Sequence, residues 1–384
     1  MNWLKSVLWV TLWLTAMVFS AQVSAQLLKQ SPMQHAAKPQ TRVLLINPST
    51  KTDPFWHQVQ TFAQYAARDL NIQLNVIYGD AHREYQQQNL RLYLKRDAAP
   101  DYAILINYPG GNGETMRILE AAKVPFITLE QTLSVSERAA LGEPGSSFKY
   151  WLYEISHDNR DAGYQLAQSL IAMARKRGIA RPDVLAIGGH YGAETDHRVQ
   201  GLNDYLGAQQ IALQQLVHAQ WQSERAAQQT AQLLRRYPYA KVIWSASDGM
   251  AMGAAQAAVL AGRSINRNVF IGGFDWLPEA LERIETQQLS ASVGGHFLMA
   301  AWALVVIYDH ERLAEPQLLE RHIRFKLAIA DETNVAQIKP LVDPSNWLHV
   351  DFKDFSRSEH KELESYPFAV QSLLEHYFNS DFSR

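Results

Sequence analysis

Residues 242–258 read VIWSASDGMAMGAAQAA, and this stretch decides the fold. An apolar run stops at Ser245, polar Ser247 and Asp248 follow, and the chain then continues in alanine, glycine and methionine. A short apolar run bounded by polar residues reads as a buried strand, and the unbranched small residues after it suit a helix lying close on a sheet. Asp248 has a side chain suited to cap that helix. The stretch therefore reads as strand, cap, helix, with Asp248 expected as the cap.

Working outward, the same unit recurs. Strands are expected over 42–47, 73–78, 102–107 and 126–129, with helices near 55–71, 84–97 and 113–122. A turn-rich connection at 142–147 (GEPGSS) leads to a second series. Its strands are expected at 150–155, 183–187, 211–218, 241–245 and 269–273, and its helices near 159–177, 196–206, 223–236 and 249–261. Alternating strands and helices predict an α/β chain with parallel sheets in two Rossmann-like lobes. The strand at 289–293 and the apolar helix at 297–310 are expected to cross back to the first lobe. The expected domains are an N-terminal lobe from 41–132 plus 276–312 and a C-terminal lobe from 133–275. An extension over 313–384 should pack on the body through Trp347, Phe352, Phe355 and Tyr366.

Bulk properties narrow the function. The 384 residues are 47% hydrophobic and 19% charged, enough for two domains, and a formal net charge of −2 gives no electrostatic footprint for nucleic acid. The N-terminus places Lys5 before an apolar run that ends near Phe19, followed by Val23-Ser24-Ala25. That is the layout of a secretory signal peptide cleaved after Ala25, and the run is shorter than the ~20 residues of a membrane span. Residues 26–40 read as a flexible leader. With no cysteine in the chain, no disulfide holds the fold.

Ligands of open parallel sheets collect outside the carboxyl ends of the strands, so the polar groups there are the candidates. After the first strand, Asp53 and Pro54 cap a helix whose first turn carries Phe55 and Trp56; these read either as a hydrophobic staple with a surface aromatic or as stacking groups. Glu130 follows the fourth strand. Arg198 lies in the first turn of a helix, where the dipole disfavours a cation; a ligand explains it, and so does an arginine reaching solvent. Trp221, the pair Ser247 and Asp248, and Asp275 follow three further strands. Carboxylates, a guanidinium and aromatic faces at so many strand ends suit one polyhydroxylated ligand.

On these residues the chain resembles the ribose- and galactose-type periplasmic binding proteins, the type I fold shared with the ligand domains of LacI-family regulators. The resemblance spans about 41–312 and rests on DPFW (53–56), AKVPFITLEQ (122–131), DHRVQG (196–201), SDGMAMGA (247–254) and GGFD (272–275). It implies two lobes joined by a three-crossover hinge that close on a small ligand without covalent chemistry or cofactor. Phe55 and Trp56 would sandwich a sugar ring, Arg198 would bind it, and Trp221 would be the second lobe's aromatic. Glu130 stands where relatives have aspartate, Ser247 where they have asparagine beside the acid Asp248, and Asp275 matches a second acid. His296, in Gly294-Gly295-His296, replaces a family glutamine. The same fold carries quorum-signal receptors, so a furanosyl signal is an alternative ligand. Implied partners are a small sugar-like molecule and either a membrane permease or a sensor kinase or cyclase, with the protein itself a monomer.

A hydrolase is the rival class. The chain lacks G-x-S-x-G, and His190, Glu194 and His197 lack the H-E-x-x-H spacing of a zinc helix, so they read as polar loop residues. The glycine turn at 110–113 reads as a turn rather than a phosphate cradle.

Overall fold

The computed structural model describes residues 40–97, 99–106, 112–130 and 133–378. The expected signal peptide, the leader apart from Gln40, and Gly110 and Gly111 of the glycine turn at 110–113 lie outside the described residues. The first sheet contains β1 (Thr41–Asn47), β2 (Ile72–Tyr78), β3 (Tyr102–Ile106), β4 (Phe126–Leu129), β5 (Trp151–His157) and β11 (His322–Phe325). Their order is β11-β5-β4-β3-β1-β2, every pair parallel. Val43 to Ile46 of β1 are buried in succession, as a strand covered by helices on both faces requires. This lobe carries α1 (Pro54–Asp69), α2 (Arg83–Arg96), α3 (Asn112–Ala121) and α4 (Val135–Leu141).

The second sheet contains β6 (Val184–Gly188), β7 (Leu213–His218), β8 (Val242–Ser245), β9 (Phe270–Phe274), β10 (Ala291–Gly294) and β12 (Ala328–Asp331). The order is β12-β10-β9-β8-β6-β7, parallel except that β12 runs antiparallel to β10. Its helices are α5 (Asn159–Lys176), α6 (Ala193–Gln209), α7 (Ser223–Arg236), α8 (Asp248–Leu260) and α9 (Pro278–Glu285). Helix α10 (Met299–His310) returns to the first lobe, packed on α1 and β4, and is buried from Met299 to Asp309, which is why its sequence shows no polar face.

Two expected lobe assignments are corrected. The strand placed at 150–155 in the second series is β5 and pairs with β4, Phe126 opposite Trp151, so the 142–147 turn lies inside the first lobe. The strand placed at 289–293 in the first lobe is β10 and pairs with β9 in the second, Ala291 opposite Gly272. The boundaries move accordingly, from 132/133 to His157 and from 275/276 to Gly295. Apolar runs of this kind look alike; only their edge partners assign them to a sheet.

Three passages connect the sheets: Asp158 after β5, Gly295 after β10, and Lys326-Leu327 between β11 and β12. The first and third are tied together, Asp158 N donating to the Phe325 carbonyl at 3.3 Å. Beyond β12, α11 (Val335–Val342) packs on α9 of the second lobe. Asp343 then leads back to the first lobe, where 3-10 turns at Pro344–His349 and Phe352–Phe355 pack on α1. Trp347, Phe352 and Phe355 are buried there. A last helix, α12 (Val370–Tyr377), follows.

Candidate functional site

Both sheets reverse strand order beside their first strand, between β1 and β3 and between β6 and β8, and side chains converge outside those carboxyl ends. In the first lobe, Asp53 Oδ1 accepts from Trp56 N at 3.1 Å and Pro54 opens α1, fixing the direction of the first turn. Phe55 and Trp56 are half-buried, edge to face with centroids 5.1 Å apart, and Phe55 lies 4.7 Å from the ring of His296. One turn on, Gln58 Nε2 reaches the Trp276 carbonyl of the second lobe at 3.5 Å. Glu130 leaves β4 with φ 62° and is buried with no hydrogen-bond or ion-pair partner among the described residues.

In the second lobe, Arg198 does not reach solvent. Helices α5 and α6 cross at backbone contact, because a Cβ at Gly163 would overlap the Arg198 carbonyl and one at Gly201 the Arg160 carbonyl. This contact pulls Arg198 inward until 4% of it is exposed. Its Nε donates to Asn159 Oδ1 at 2.8 Å and its Nη1 to the Ala246 carbonyl at 2.7 Å, while its plane covers Phe274 at 4.7 Å and Trp221 at 5.9 Å. Nη2 has no hydrogen-bond partner among the described residues. Asn159 Oδ1 also accepts from His157 Nε2 at 3.0 Å. Glu194, four residues before Arg198 and so on the same helical face, is buried too. Trp221, φ 62°, is half-buried over Gly189 and donates its Nε1–H to His190 Nδ1 at 3.0 Å.

The acids of the second lobe divide. Ser247, not Asp248, caps α8, its Oγ accepting from Met250 N at 3.3 Å; the expected capping role of Asp248 is corrected. Asp248 is fully buried and turned into the protein, where Oδ1 accepts from Ser292 Oγ at 2.7 Å and Oδ2 from Leu277 N at 3.0 Å. It braces the loop after β9, in which Asp275 (φ 115°) and Trp276 (φ 55°) hold backbone conformations that side chains seldom adopt. Asp275 Oδ1 thereby lies 3.2 Å from His296 Nε2, off the line of a hydrogen bond.

The charge of one guanidinium, that of Arg198, acts on three buried carboxyls. Burial pushes Glu130 up to about 7; Arg198 opposes the rise and Asp275 adds to it. Burial, then the charge of Glu130, raises Glu194 to about 8. Burial raises Asp275 to about 7, against the pull of Arg198. Burial and the Arg198 cation hold His296 well below its ordinary value; His157 is depressed by burial, then by His296 and Arg198, so both rings are neutral. His157 Nδ1, Asn159 Nδ2 and both nitrogens of His296 are buried without a hydrogen-bond partner among the described residues. Buried polar atoms are nearly always paired, so this concentration in one place is unusual. Among the described residues no group of three His, Asp or Glu side chains is placed to hold a metal ion.

The structure thus gathers Phe55, Trp56, Glu130, Arg198, Trp221, Asp275 and His296, and gives Ser247 and Asp248 capping and bracing roles. The sequence reading missed His157 and Asn159, which look like a strand end and a helix start, and took Glu194 for a loop residue although its spacing from Arg198 was a signal.

A model of the periplasmic binding protein domain matches residues 43–312. The chain belongs to the periplasmic binding protein family. It is similar to the D-allose-binding periplasmic protein of Escherichia coli (strain K12), 25% identical over 283 residues, 72% of this chain and 87% of that protein. The ribose import binding protein RbsB of the same organism is 24% identical over 273 residues, 71% of this chain and 84% of that protein. A crystal structure of a periplasmic sugar-binding protein from Pseudomonas fluorescens superposes with a TM-score of 0.77 at 29% identity, covering 87% of this chain and 99% of that one. The two sheets and three passages are therefore those of a periplasmic binding protein.

Proposed function

We propose that this protein is a monomeric solute-binding protein of the periplasm, exported by a signal peptide cleaved after Ala25. It closes over a small polyhydroxylated molecule, a sugar, and presents it to an ABC permease without chemical conversion. The carrying observation is the set of buried polar atoms on His157, Asn159 and His296 that have no partner among the described residues, set beside the Arg198 guanidinium and the Glu130 and Asp275 carboxyls. Each such atom costs about 1–3 kcal/mol while unpaired, and ligand hydroxyls remove that cost only when both lobes meet them. Ligand contacts to both lobes stabilise the closed form, which a permease can read. Phe55, Trp56 and Trp221 supply apolar faces for the C–H surfaces of a ring. That the relatives above are named for binding or importing sugars favours transport over sensing.

Thermal-shift screening followed by calorimetry with D-allose, D-ribose, other pentoses and hexoses in both ring forms, and myo-inositol tests this. A binder should raise the melting temperature by mass action, and Arg198→Ala should abolish the rise. No binding across the panel, or an unchanged response in Arg198→Ala, would overturn the proposal.

A further inference from the structure

The family match ends at residue 312, and the chain after α11 belongs to neither sheet. We propose that this C-terminal segment is a latch: fixed to the first lobe, it seats α12 on the second lobe across the hinge and favours the closed arrangement. The anchoring to the first lobe is extensive. Phe352 N donates to Asp69 Oδ2 at the end of α1 at 2.7 Å. Trp347 meets Phe62 of α1 at 4.8 Å, and Phe368 stacks on Trp302 of α10 at 4.6 Å and 11°. Asp309, fully buried on α10, accepts from Arg357 N at 2.8 Å, from Ser358 N at 3.1 Å and from the Ser356 hydroxyl. Tyr377, at the far end of α12, donates back to the Asp351 carbonyl at 3.1 Å, so both ends of this helix are tied to first-lobe structure.

Between those ties, α12 packs beside α11, and α11 belongs to the second lobe through α9, with Lys339 Nζ 2.5 Å from Glu285. Leu373 is fully buried and Val370 nearly so. Val370 sits directly on Gly295, the second passage: Gly295 has φ 112°, and any Cβ there would strike the Val370 side chain. A helix whose far end packs on the first lobe, Tyr377 against Phe355, thus also lies beside α11 of the second lobe and over a passage that must change its torsion angles when the cleft opens. Contacts that exist in one arrangement and weaken in the other bias the equilibrium toward the first.

The absence of cysteine allows clean labelling. Thr52, before α1, and Glu224, in the first turn of α7, are exposed at the cleft ends of the two sheets. Spin labels on Thr52→Cys and Glu224→Cys report opening in the ligand-free protein, so the result does not depend on which solute binds. Leu373→Ala should shift the distance distribution to longer values and raise the open-to-closed ratio about tenfold or more. Val370→Ala should do the same to a smaller degree, and Leu348→Ala, an exposed residue of the same segment, should do nothing. If Leu373→Ala does not fold, Val370→Ala decides. An unchanged distribution in the folded latch variants, or a shift to shorter distances, would overturn the latch.

Discussion

Glu130→Gln separates the ligand-facing character of this carboxyl from a structural one. The side chain is buried without a donor among the described residues, and its pKa is pushed from 4.5 to about 7. At about 1.4 kcal/mol per pH unit, holding that proton is worth about 3 kcal/mol. Below pH 4.5 the carboxyl is protonated in the folded and unfolded chains alike, and wild type and the Glu130→Gln variant should differ little. Between pH 4.5 and 7 the unfolded chain releases the proton while the folded one keeps it, so wild-type stability falls as pH rises. Above pH 7 the deficit is complete. Urea unfolding of the ligand-free proteins at pH 4.5 and pH 8 should therefore show Glu130→Gln more stable than wild type by up to about 3 kcal/mol at pH 8 and nearly equal at pH 4.5. Because the charge of Glu130 also raises Glu194, part of the gain comes through that neighbour, and adding Glu194→Gln should give less than the summed effect. The same variant should bind sugar more weakly. A Glu130→Gln protein less stable than wild type at pH 8, or a difference independent of pH, would refute the picture of an unpaired carboxyl awaiting a ligand.

Asp248→Ala should destabilise the free protein by about 2 kcal/mol in urea unfolding, since it leaves the Ser292 hydroxyl and the Leu277 N–H without their acceptor, and should weaken ligand affinity through the Asp275 loop. Trp56→Ala should weaken sugar binding about tenfold by calorimetry with little change in unfolding midpoint, because the ring is only half-buried; unchanged affinity would remove the stacking role.

The α/β repeat was legible because parallel strands covered on both faces must be apolar runs, as Val43 to Ile46 are. Lobe membership was not, because β5 and β10 carry no local mark of which edge they join; the pairings of Phe126 with Trp151 and of Gly272 with Ala291 arise from the rest of the sheet. Arg198 and Asp275 stood out as charges at strand ends. Ser247 and Asp248, adjacent and both good capping residues, could not be told apart until burial turned the aspartate toward Ser292. His157 and Asn159 stayed hidden because their roles depend on an arginine about forty residues further along.

Asn159 leaves one last consequence. Its amide oxygen is shared between His157, the last residue of β5, and Arg198. The strut that aims the guanidinium therefore grows out of the pivot itself. Swinging the halves apart draws His157 away from that oxygen while Arg198 keeps its hold on Asn159 and Ala246, so opening releases the histidine and leaves the cation aimed. The charged contact therefore stays ready between guests, and the ring returns with the other half.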